Sequence, residues 1–356
     1  MATAISISVK RGFYEKAVLS LLSKMKLGHL HLTLPSGESI TFGNGSGNIN
    51  AYVSIKTTDF FKRCVLFGDI GFGEGYVDGD WETSNITDVI KWFLLNVETA
   101  PTVSGSQTKT LTLNILKFLN KLIHQKKANT IDGSKENIAA HYDLNNEFFK
   151  LFLDPTITYS SAYFREEDMS LQEAQIEKYE RLCKKLRLKP TDHVLEIGTG
   201  WGGNAIHIAK NHGCRVTTVT ISEEQYQLAM ERVRQENLGH KITVLLKDYR
   251  FIEGQFDKIV SIEMLEAVGH KFLEVYFKKC DELLKQDGLL ALQVITCPDS
   301  RYESLRKGVD WIQKHIFPGS LLPSVAAINQ AINNTCDLTL VDLKDIGLDY
   351  ARTLSI

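Results

Sequence analysis

The stretch that most constrains the fold lies at residues 193–225 and has the pattern of one strand–helix–strand unit. A short apolar run leads into Gly-Thr-Gly-Trp-Gly-Gly at residues 198–203, and a helical stretch and a second apolar run follow. Glycines suit a turn that is tight and that lets the backbone approach a ligand held at a helix N-terminus. The pattern therefore predicts a parallel α/β sheet with a ligand at this turn.

Three interpretations of the glycine turn compete. A nicotinamide-dependent dehydrogenase needs an acidic residue about 20 residues past the glycines, at the tip of the second strand. That tip is Thr-Val-Thr at residues 218–220, and the next acids come later, at Glu223 and Glu224. An S-adenosylmethionine (AdoMet) methyltransferase instead carries an acid inside the first strand, and Glu196 supplies it. A structural turn without ligand is the third interpretation, and the pattern favours AdoMet.

Composition excludes several classes of protein. The chain has 356 residues, 43% of them hydrophobic and 24% charged, as in ordinary globular proteins. A net charge of −2 argues against a globally basic nucleic-acid binder. The six cysteines form no C-x-x-C pair and no histidines stand at metal-ligand spacing, which favours a reducing compartment and no metal site. With no transmembrane-length apolar run and no signal peptide, we expect a cytoplasmic protein.

The first part of the chain predicts a smaller α+β domain at residues 1–105. Helical periodicity occurs at residues 13–26, 59–67 and 86–95, and alternation around Pro-Ser-Gly-Glu predicts a hairpin at residues 29–42. The polar stretch at residues 101–108 is the predicted domain boundary.

A basic amphipathic helix is predicted at residues 106–130, between the two domains. It is either a packed linker helix or a contact with anionic lipid, and the sequence favours neither.

Residues 131–356 predict a second domain with a mainly parallel, doubly wound sheet. Helices are expected at residues 172–186 and 272–288, and later strands at residues 241–248, 256–264, 289–296 and 338–346. In such a sheet the ligands bind beyond the carboxyl ends of the strands.

A series of motifs in this second part resembles the cyclopropane-fatty-acyl-phospholipid synthase family, which includes the mycolic acid cyclopropane synthases. The motifs are HYDLNNEFFKLFLDPTITYSSAYF, LEIGTGWGG, TISEEQ, QFDKIVSIEMLEAVGHKF, IFPGSLLPS and GLDY. The resemblance begins upstream, at GFGEGYVDGDWET, and runs to the end of the chain. It implies a Rossmann-like class I methyltransferase domain that uses AdoMet and acts on unsaturated acyl chains of membrane phospholipids.

The resemblance also implies which residues contact AdoMet. Together with the acid of the first strand, the implied cofactor-binding residues are Tyr159, Ser160, Glu196, Gly198, Gly200, Gly202, Thr220, Ile221, Gln225 and Tyr249. Gln225 can serve the ribose hydroxyls by hydrogen bonding, and Gly202 and Gly203 are expected to let the backbone approach the methionine moiety.

The family's reaction needs a base, and the resemblance implies bound bicarbonate in that role. An alkene attacks the sulfonium methyl of AdoMet, and a proton then leaves the new methyl group so that a ring closes. Glu266, Ile295 and Tyr350 match the family's anion-binding residues, whereas Ser161 and Gln293 stand where the family usually has cysteine and histidine. Gln293 carries no charge, so the expected product is a cyclopropane, a methylene group or a methyl branch.

We expect a C-methyltransferase of phospholipid acyl chains, peripheral to the inner membrane face. Two alternatives stay open: an N-methyltransferase of a small amine, and a non-catalytic protein that binds lipid or AdoMet. A homodimer is neither favoured nor excluded. Relatives continue beyond the motif that holds Tyr350, so the methyltransferase domain is expected to be truncated at its C-terminus.

Overall fold

The computed structural model describes residues 11–98 and 146–356. Among these residues the chain forms two compact units, residues 11–98 with 304–315, and residues 146–303 with 316–356. The predicted boundary at residues 101–108 and the predicted helix at residues 106–130 lie outside the described residues. Among the described helices, none combines the length and the apolar character needed to cross a bilayer.

The first unit contains a four-stranded sheet and several helices. In chain order its elements are α1 (Phe13–Leu22), β1 (His29–Thr33), β2 (Ser39–Gly43), β3 (Asn50–Ile55), α2 (Asp59–Phe67), α3 (Asp69–Val77), β4 (Trp81–Glu82) and α4 (Ile86–Leu95). The sheet order is β2-β1-β3-β4, with β1 antiparallel to β2 and parallel to β3. The predicted hairpin and the helices at residues 59–67 and 86–95 are present.

The core of this unit lies between the sheet and its helices. Trp81 and Trp92 are fully buried there, with Phe61 and Met25. A cap fixes the start of α4, because the Asn85 side chain accepts hydrogen bonds from the backbone N–H groups of Thr87 and Asp88.

The second unit contains a five-stranded sheet with helices on both faces. Its elements are α5 (Asn146–Lys150), α6 (Leu171–Leu186), β5 (His193–Ile197), α7 (Gly203–His207), β6 (Arg215–Thr220), α8 (Glu223–Gln235), β7 (Ile242–Leu246), β8 (Phe256–Ile262), α9 (Leu273–Leu283), β9 (Leu284–Gln293), α10 (Asp299–Leu305), α12 (Val325–Thr335) and α13 (Gly347–Ser355). The short helix α11 (Trp311–His315) belongs to the first unit.

The sheet order is β7-β6-β5-β8-β9 and every pairing is parallel. Successive residues of a strand face opposite sides, so Val194 joins the hydrophobic cluster on one face and Leu195 the cluster on the other. The chain order reverses beside β5, which places a crevice at the carboxyl ends of β5, β6 and β8. The predicted parallel sheet is confirmed.

One predicted boundary and one predicted strand are wrong. The helix expected at residues 272–288 ends at Leu283, and β9 begins at Leu284 with an irregularity that includes Asp287 at φ +61°. Residues 338–346 form no strand. Val341 is 81% exposed and Leu343 is 66% exposed, and no strand pairs with this segment among the described residues. Alternating apolar residues do not make a strand when no ladder partner is present.

Candidate active site

The carboxyl ends of all five strands of the second sheet carry residues of the expected site. β5 ends before Gly198, β6 ends at Thr220, and β9 ends at Gln293. Tyr249 follows β7, and the acidic segment that contains Glu266 follows β8. Parallel strands place these ends at one edge, so the sequence-predicted residues gather there.

The glycine turn has the backbone geometry that only glycine adopts easily. Gly198, Gly200 and Gly202 have φ values of +99°, +50° and +86°. The backbone N–H groups of Gly198 and Thr199 both donate to the Val219 carbonyl oxygen, at 3.0 and 3.1 Å. A Cβ atom on Gly200 would meet nothing within 4 Å, so this turn faces open space.

Gly202 and Gly203 have a role different from the expected one. A Cβ on Gly202 would lie 3.3 Å from the Cβ of Ala229 on α8, and a Cβ on Gly203 would lie 2.8 Å from the Tyr179 hydroxyl. Their missing side chains make room for neighbouring protein groups. They fix the position of α7 against α6 and α8.

Glu196 braces the strand that leads into the turn. Its Oε1 accepts from the Asn204 side chain at 2.8 Å, and its Oε2 accepts from the Thr218 hydroxyl at 2.6 Å. Burial raises the pKa of Glu196 to about 7, while these two hydrogen bonds oppose the rise. Both oxygens thus link β5 to α7 and β6, which makes Glu196 a positioning residue in this structure.

The end of β6 presents hydrogen-bond donors next to the turn. The Thr220 hydroxyl donates to Gln225 Oε1 at 2.8 Å, so the Gln225 amide group keeps its N–H donors for other acceptors. Ile221 is half-buried between them, and Tyr249 is half-buried after β7. Burial raises the pKa of the Tyr249 hydroxyl above its ordinary value, so the ring is neutral and can line an adenine site.

These residues fit AdoMet. The open space over Gly200 suits close approach of a ligand to the backbone, and the amide donors of Gln225 suit ribose hydroxyls. The Tyr159 side chain, 37% exposed, follows α5 and belongs to the same unit. Ser160 is held by the Lys178 ammonium group, which donates to its hydroxyl oxygen at 2.7 Å.

A second group of polar residues surrounds Glu263, which directly follows β8. Glu263 Oε1 accepts from the backbone N–H of Ser161 at 2.8 Å and from Gln293 Nε2 at 3.0 Å. Gln293 Nε2 also donates to the Ser161 carbonyl oxygen at 3.0 Å. Three sequence-distant segments therefore converge on one carboxylate.

Glu266 lies close to this group in a more buried position. Its Oε1 accepts a hydrogen bond from the backbone N–H of Ile295, and within the described part of the chain its buried Oε2 has no partner. Burial raises the pKa of Glu266 to about 8, and the charge of Glu263 adds to the rise. Glu266 is therefore largely protonated at neutral pH.

Helix α13 brings Tyr350 to the same region. Two of its side chains dock it on the segment after Ser161, because Asp349 Oδ1 accepts from the Phe164 N–H at 2.8 Å and Thr353 Oγ1 accepts from the Ala162 N–H at 3.0 Å. Burial raises the pKa of the Tyr350 hydroxyl to about 12, with Glu263 as the next cause. Tyr350 is thus a neutral donor near the two glutamates.

The residues do not fit a bound bicarbonate in the expected place. Two of the implied anion ligands, Ser161 and Gln293, already donate to Glu263. The charge of Glu263 also acts on Glu266. A further anion would find two of its expected donors engaged and a negative charge beside it.

Sequence analysis missed Glu263 and Lys178. Glu263 sits at a strand end, three residues before Glu266 in the same motif, and an acid at that place is a signal that could have been used. Lys178 is only 1% exposed, and burial lowers its pKa to about 7 although Glu263 opposes this. A lysine on the apolar side of a predicted helix gives little warning of such a position.

Aromatic rings flank the Tyr159 side of the site. The Tyr159 ring lies 5.5 Å from Phe149, 6.1 Å from Phe152 and 6.3 Å from Phe317, measured between ring centroids. Phe149 also packs against Trp201 of the glycine turn at 4.9 Å. Phe152 and Leu151 are exposed, so an apolar surface reaches the site.

Comparison with known proteins matches this architecture. The family model for mycolic acid cyclopropane synthetase matches residues 129–356. The chain is 34% identical over 351 residues to the tuberculostearic acid methyltransferase of Mycobacterium tuberculosis, covering 96% of this chain and 79% of that protein. It is 38% identical over 310 residues to the cyclopropane-fatty-acyl-phospholipid synthase of Escherichia coli, covering 87% and 76% respectively.

Solved structures give the same result. The cyclopropane synthase MmaA2 from Mycobacterium tuberculosis superposes with a TM-score of 0.58 at 32% identity, over 62% of this chain and 80% of that one. Mycolic acid cyclopropane synthase CmaA1, in complex with SAH and CTAB, gives a TM-score of 0.57 at 32% identity, over the same shares. The resemblance and fold expected from the motifs are confirmed, and the chain belongs to the mycolic acid cyclopropane synthetase family.

Proposed function

We propose that this protein is an AdoMet-dependent methyltransferase that transfers a one-carbon group to the cis double bond of an unsaturated phospholipid acyl chain. The observation that carries the proposal is the pair Glu263 and Glu266 beside the glycine turn, one carboxyl with two hydrogen-bond donors and one without a partner for Oε2 among the described residues. The names of the relatives, a fatty-acid methyltransferase and cyclopropane synthases, point to the same chemistry.

AdoMet, when bound, supplies a methyl group on a positively charged sulfur, which even a weak nucleophile such as an alkene can attack. Transfer of that methyl group to the acyl double bond would break its bond to sulfur and would leave a cation on the neighbouring chain carbon. Aromatic faces stabilise a cation without bonding to it. The rings of Tyr159 and Phe149 are suited to this, since they pack together 5.5 Å apart and contact the turn through Trp201.

Glu263 is the base in this proposal. It removes a proton from the new methyl group, and the electrons of that C–H bond close the ring onto the cationic carbon. Burial raises the pKa of Glu263, and the Gln293 amide, the Lys178 charge and the Ser161 N–H oppose that rise by favouring the ionised form. A neutral glutamine suits a protein carboxylate as its partner, so the proposed reaction does not need the histidine usual in the family.

Glu266 keeps the number of ionised carboxylates in the site at one. Burial raises its pKa to about 8, so its carboxyl is mostly neutral when Glu263 is ionised. Two titratable groups whose surroundings separate their pKa values are a recurring arrangement in acid–base catalysis. A second negative charge would repel Glu263, and its absence lets the one ionised carboxylate face the substrate cation.

An exposed apolar surface near Tyr159 supports access from a membrane. Leu151 is 82% exposed, Phe152 48% and Phe148 42%, and Phe152 packs against Tyr159. Such a surface can enter the boundary between head groups and acyl chains. We therefore place the protein at the cytoplasmic face of the membrane, as a peripheral protein that takes its acyl chain from the bilayer.

Mass spectrometry of treated vesicles tests this function. The purified full chain is incubated with AdoMet and phosphatidylglycerol vesicles whose acyl chains are cis-monounsaturated, with fully saturated vesicles as the matched control. We expect each modified unsaturated chain to gain the mass of one CH₂, and the saturated lipid to stay unchanged. No gain in the unsaturated lipid, or methylation of small amines in its place, would contradict the proposal.

A further inference from the structure

Four side chains meet between helix α6 and the helical segment that begins with α7, away from Glu263 and Glu266. Glu180 and Cys183 come from α6, His207 ends α7, and His212 lies five residues later. One ligand atom from each of Cys183, His207 and His212 lies within 4.8 Å of the other two. Thiolate and imidazole are the ligand groups that zinc-class ions prefer.

A π-helical turn brings the two histidines together. Helix α7 continues directly into a π-helical segment at Ile208–His212. In an α-helix, residues five apart point in directions roughly 140° apart, since each residue turns about 100°. The wider π turn stacks residues five apart, and π turns occur frequently at functional sites. The rings of His207 and His212 accordingly lie 6.0 Å apart between centroids.

The Nε2 atoms of both histidines lie close to the carboxylate of Glu180. Glu180 Oε2 lies 3.3 Å from His207 Nε2 and 2.9 Å from His212 Nε2. Glu180 and Cys183 are three residues apart on α6, so they share one face of that helix. The carboxylate oxygen of Glu180 therefore lies beside both imidazoles, and these imidazoles form a three-residue group with Cys183.

We propose that Cys183, His207 and His212 form a binding site for a divalent transition-metal ion of the zinc class, with Glu180 as the fourth ligand. Zinc takes four such ligands at about 2.0–2.3 Å in a tetrahedron, which puts ligand atoms roughly 3.3–3.6 Å apart. Binding therefore requires side-chain rotations that bring the ligand atoms of Cys183, His207 and His212, now within 4.8 Å of one another, to that spacing. A thiolate and a carboxylate together balance the two charges of the ion.

Residues around the proposed metal site include a hydrogen-bonding partner for one of the ligands, and part of the site is open to solvent. Asn211 Nδ2 lies 3.0 Å from His207 Nδ1, the ring nitrogen that faces away from Glu180. A metal-bound His207 would carry its proton on Nδ1, so the Asn211 amide would turn its oxygen to accept from that nitrogen, as outer-shell partners of metal-binding histidines do. The Cys183 thiol is buried, whereas the side chains of His212 and Glu180 are 20% and 27% exposed, so an ion can enter from solvent. A bound ion would cross-link α6 to the helix that follows the glycine turn.

Metal titration of the full chain tests this site independently of any methyltransferase activity. The protein is first freed of metal with a chelator, and zinc is then titrated against a chromophoric competitor. We expect one ion per chain, and in cobalt-substituted protein a thiolate-to-metal charge-transfer band. Cys183→Ser should remove that band. His212→Asn should weaken binding by more than the roughly 10–100-fold typical of an outer-shell change, and Asn211→Ala by about 10-fold.

Matched controls come from the same unit. His240→Asn and Cys336→Ser change the same residue types outside the cluster, and both should bind zinc as the wild type does. Equal loss in these controls would overturn the proposal, as would binding that Cys183→Ser leaves intact. X-ray absorption spectroscopy of the zinc-loaded wild type needs no variant, and a first shell without sulfur would also overturn it.

Discussion

Glu263 combines a strained backbone conformation with a carboxylate that other parts of the chain hold by hydrogen bonds. Its φ of +48° lies in the left-handed region that residues with a side chain rarely occupy. Strained backbone of this kind concentrates at functional sites, because surrounding contacts must hold it in place. Here those contacts include the hydrogen bonds from Ser161 and Gln293 to its carboxylate and from its own N–H to the Gln293 carbonyl oxygen, at 2.7 Å.

The substitution Glu263→Gln should remove the proposed base and keep the hydrogen bonds that it accepts. The amide still accepts the two hydrogen bonds but cannot take a proton, so product formation should fall by about 10²–10⁴-fold, the usual contribution of a general base. AdoMet affinity, measured by calorimetry, should stay near the wild-type value. Glu282→Gln changes an exposed glutamate and serves as the control. Full turnover in the Glu263 variant would remove this residue from the reaction.

Glu266 should make stability depend on pH. Its pKa is about 8 in the folded protein and near 4.5 when unfolded, so the folded state holds one more proton between these values. The free energy of unfolding then decreases as pH rises from about 5 to 8. Glu266→Gln removes this loss and should gain stability relative to wild type over that range, by on the order of a few kcal/mol at pH 8. Urea unfolding at pH 5 and pH 8 measures it, and an equal difference at both pH values would contradict it.

At the scale of elements, two glycines of the glycine turn have different roles, one in ligand binding and the other in stability of the fold. Gly200→Ala places a Cβ in open space at φ +50°, which should lower stability by only about 1 kcal/mol. The same Cβ points into the space assigned to AdoMet, so affinity should fall at least about tenfold, near 1.4 kcal/mol. Gly202→Ala brings a Cβ to 3.3 Å from Ala229 at φ +86° and should mainly destabilise the fold, by roughly 1–3 kcal/mol.

Denaturant unfolding and calorimetric AdoMet titration of both variants check this contrast. Each variant is the control for the other, since both add one methyl group to the same turn. A stable Gly202→Ala protein with impaired AdoMet binding, beside a Gly200→Ala protein with unchanged affinity, would reverse the assignment.

Sequence patterns predicted these elements well where local chemistry decides them. The Ser170 capping box starts α6 and is visible as Ser-x-x-Glu, and the glycines mark the turn before α7. The strand wrongly predicted at residues 338–346 shows a limit of such patterns. Alternation of apolar and polar residues does not reveal whether a neighbouring strand is available for pairing. The π-helical turn shows a second limit. Residues five apart do not share a face of an α-helix, so the sequence pattern does not predict that His207 and His212 lie together.

At the scale of the whole molecule, the active site depends on contacts that no local pattern contains. The bond from the Ser161 N–H to Glu263 joins residues 102 positions apart, and the Phe164 N–H reaches Asp349 over 185 positions. Motif resemblance placed Ser161, Gln293 and Glu266 in one site, but it could not reveal that Glu263 engages the first two. Sequence therefore predicted the membership of the site better than its electrostatics.

The exposed apolar surface gives a prediction for membrane binding. Leu151→Asp removes an apolar contact and adds a negative charge, so vesicle affinity should fall by about 10–100-fold, in line with roughly 1.5–3 kcal/mol for a buried leucine. Val341→Asp is a matched control, since Val341 is 81% exposed and Leu151 82%. Sedimentation with anionic vesicles measures the effect. Equal loss in both variants would mean that added charge alone weakens binding.

The most direct test of the account follows the hydrogens of the transferred methyl group. The full chain is given AdoMet with a fully deuterated methyl group and cis-unsaturated phospholipid vesicles, and the acyl chains are analysed by mass spectrometry. If Glu263 takes a proton from the new methyl group, the added carbon keeps two of its three deuterium atoms. A product that keeps all three, or lipid that carries no deuterium, would contradict the account.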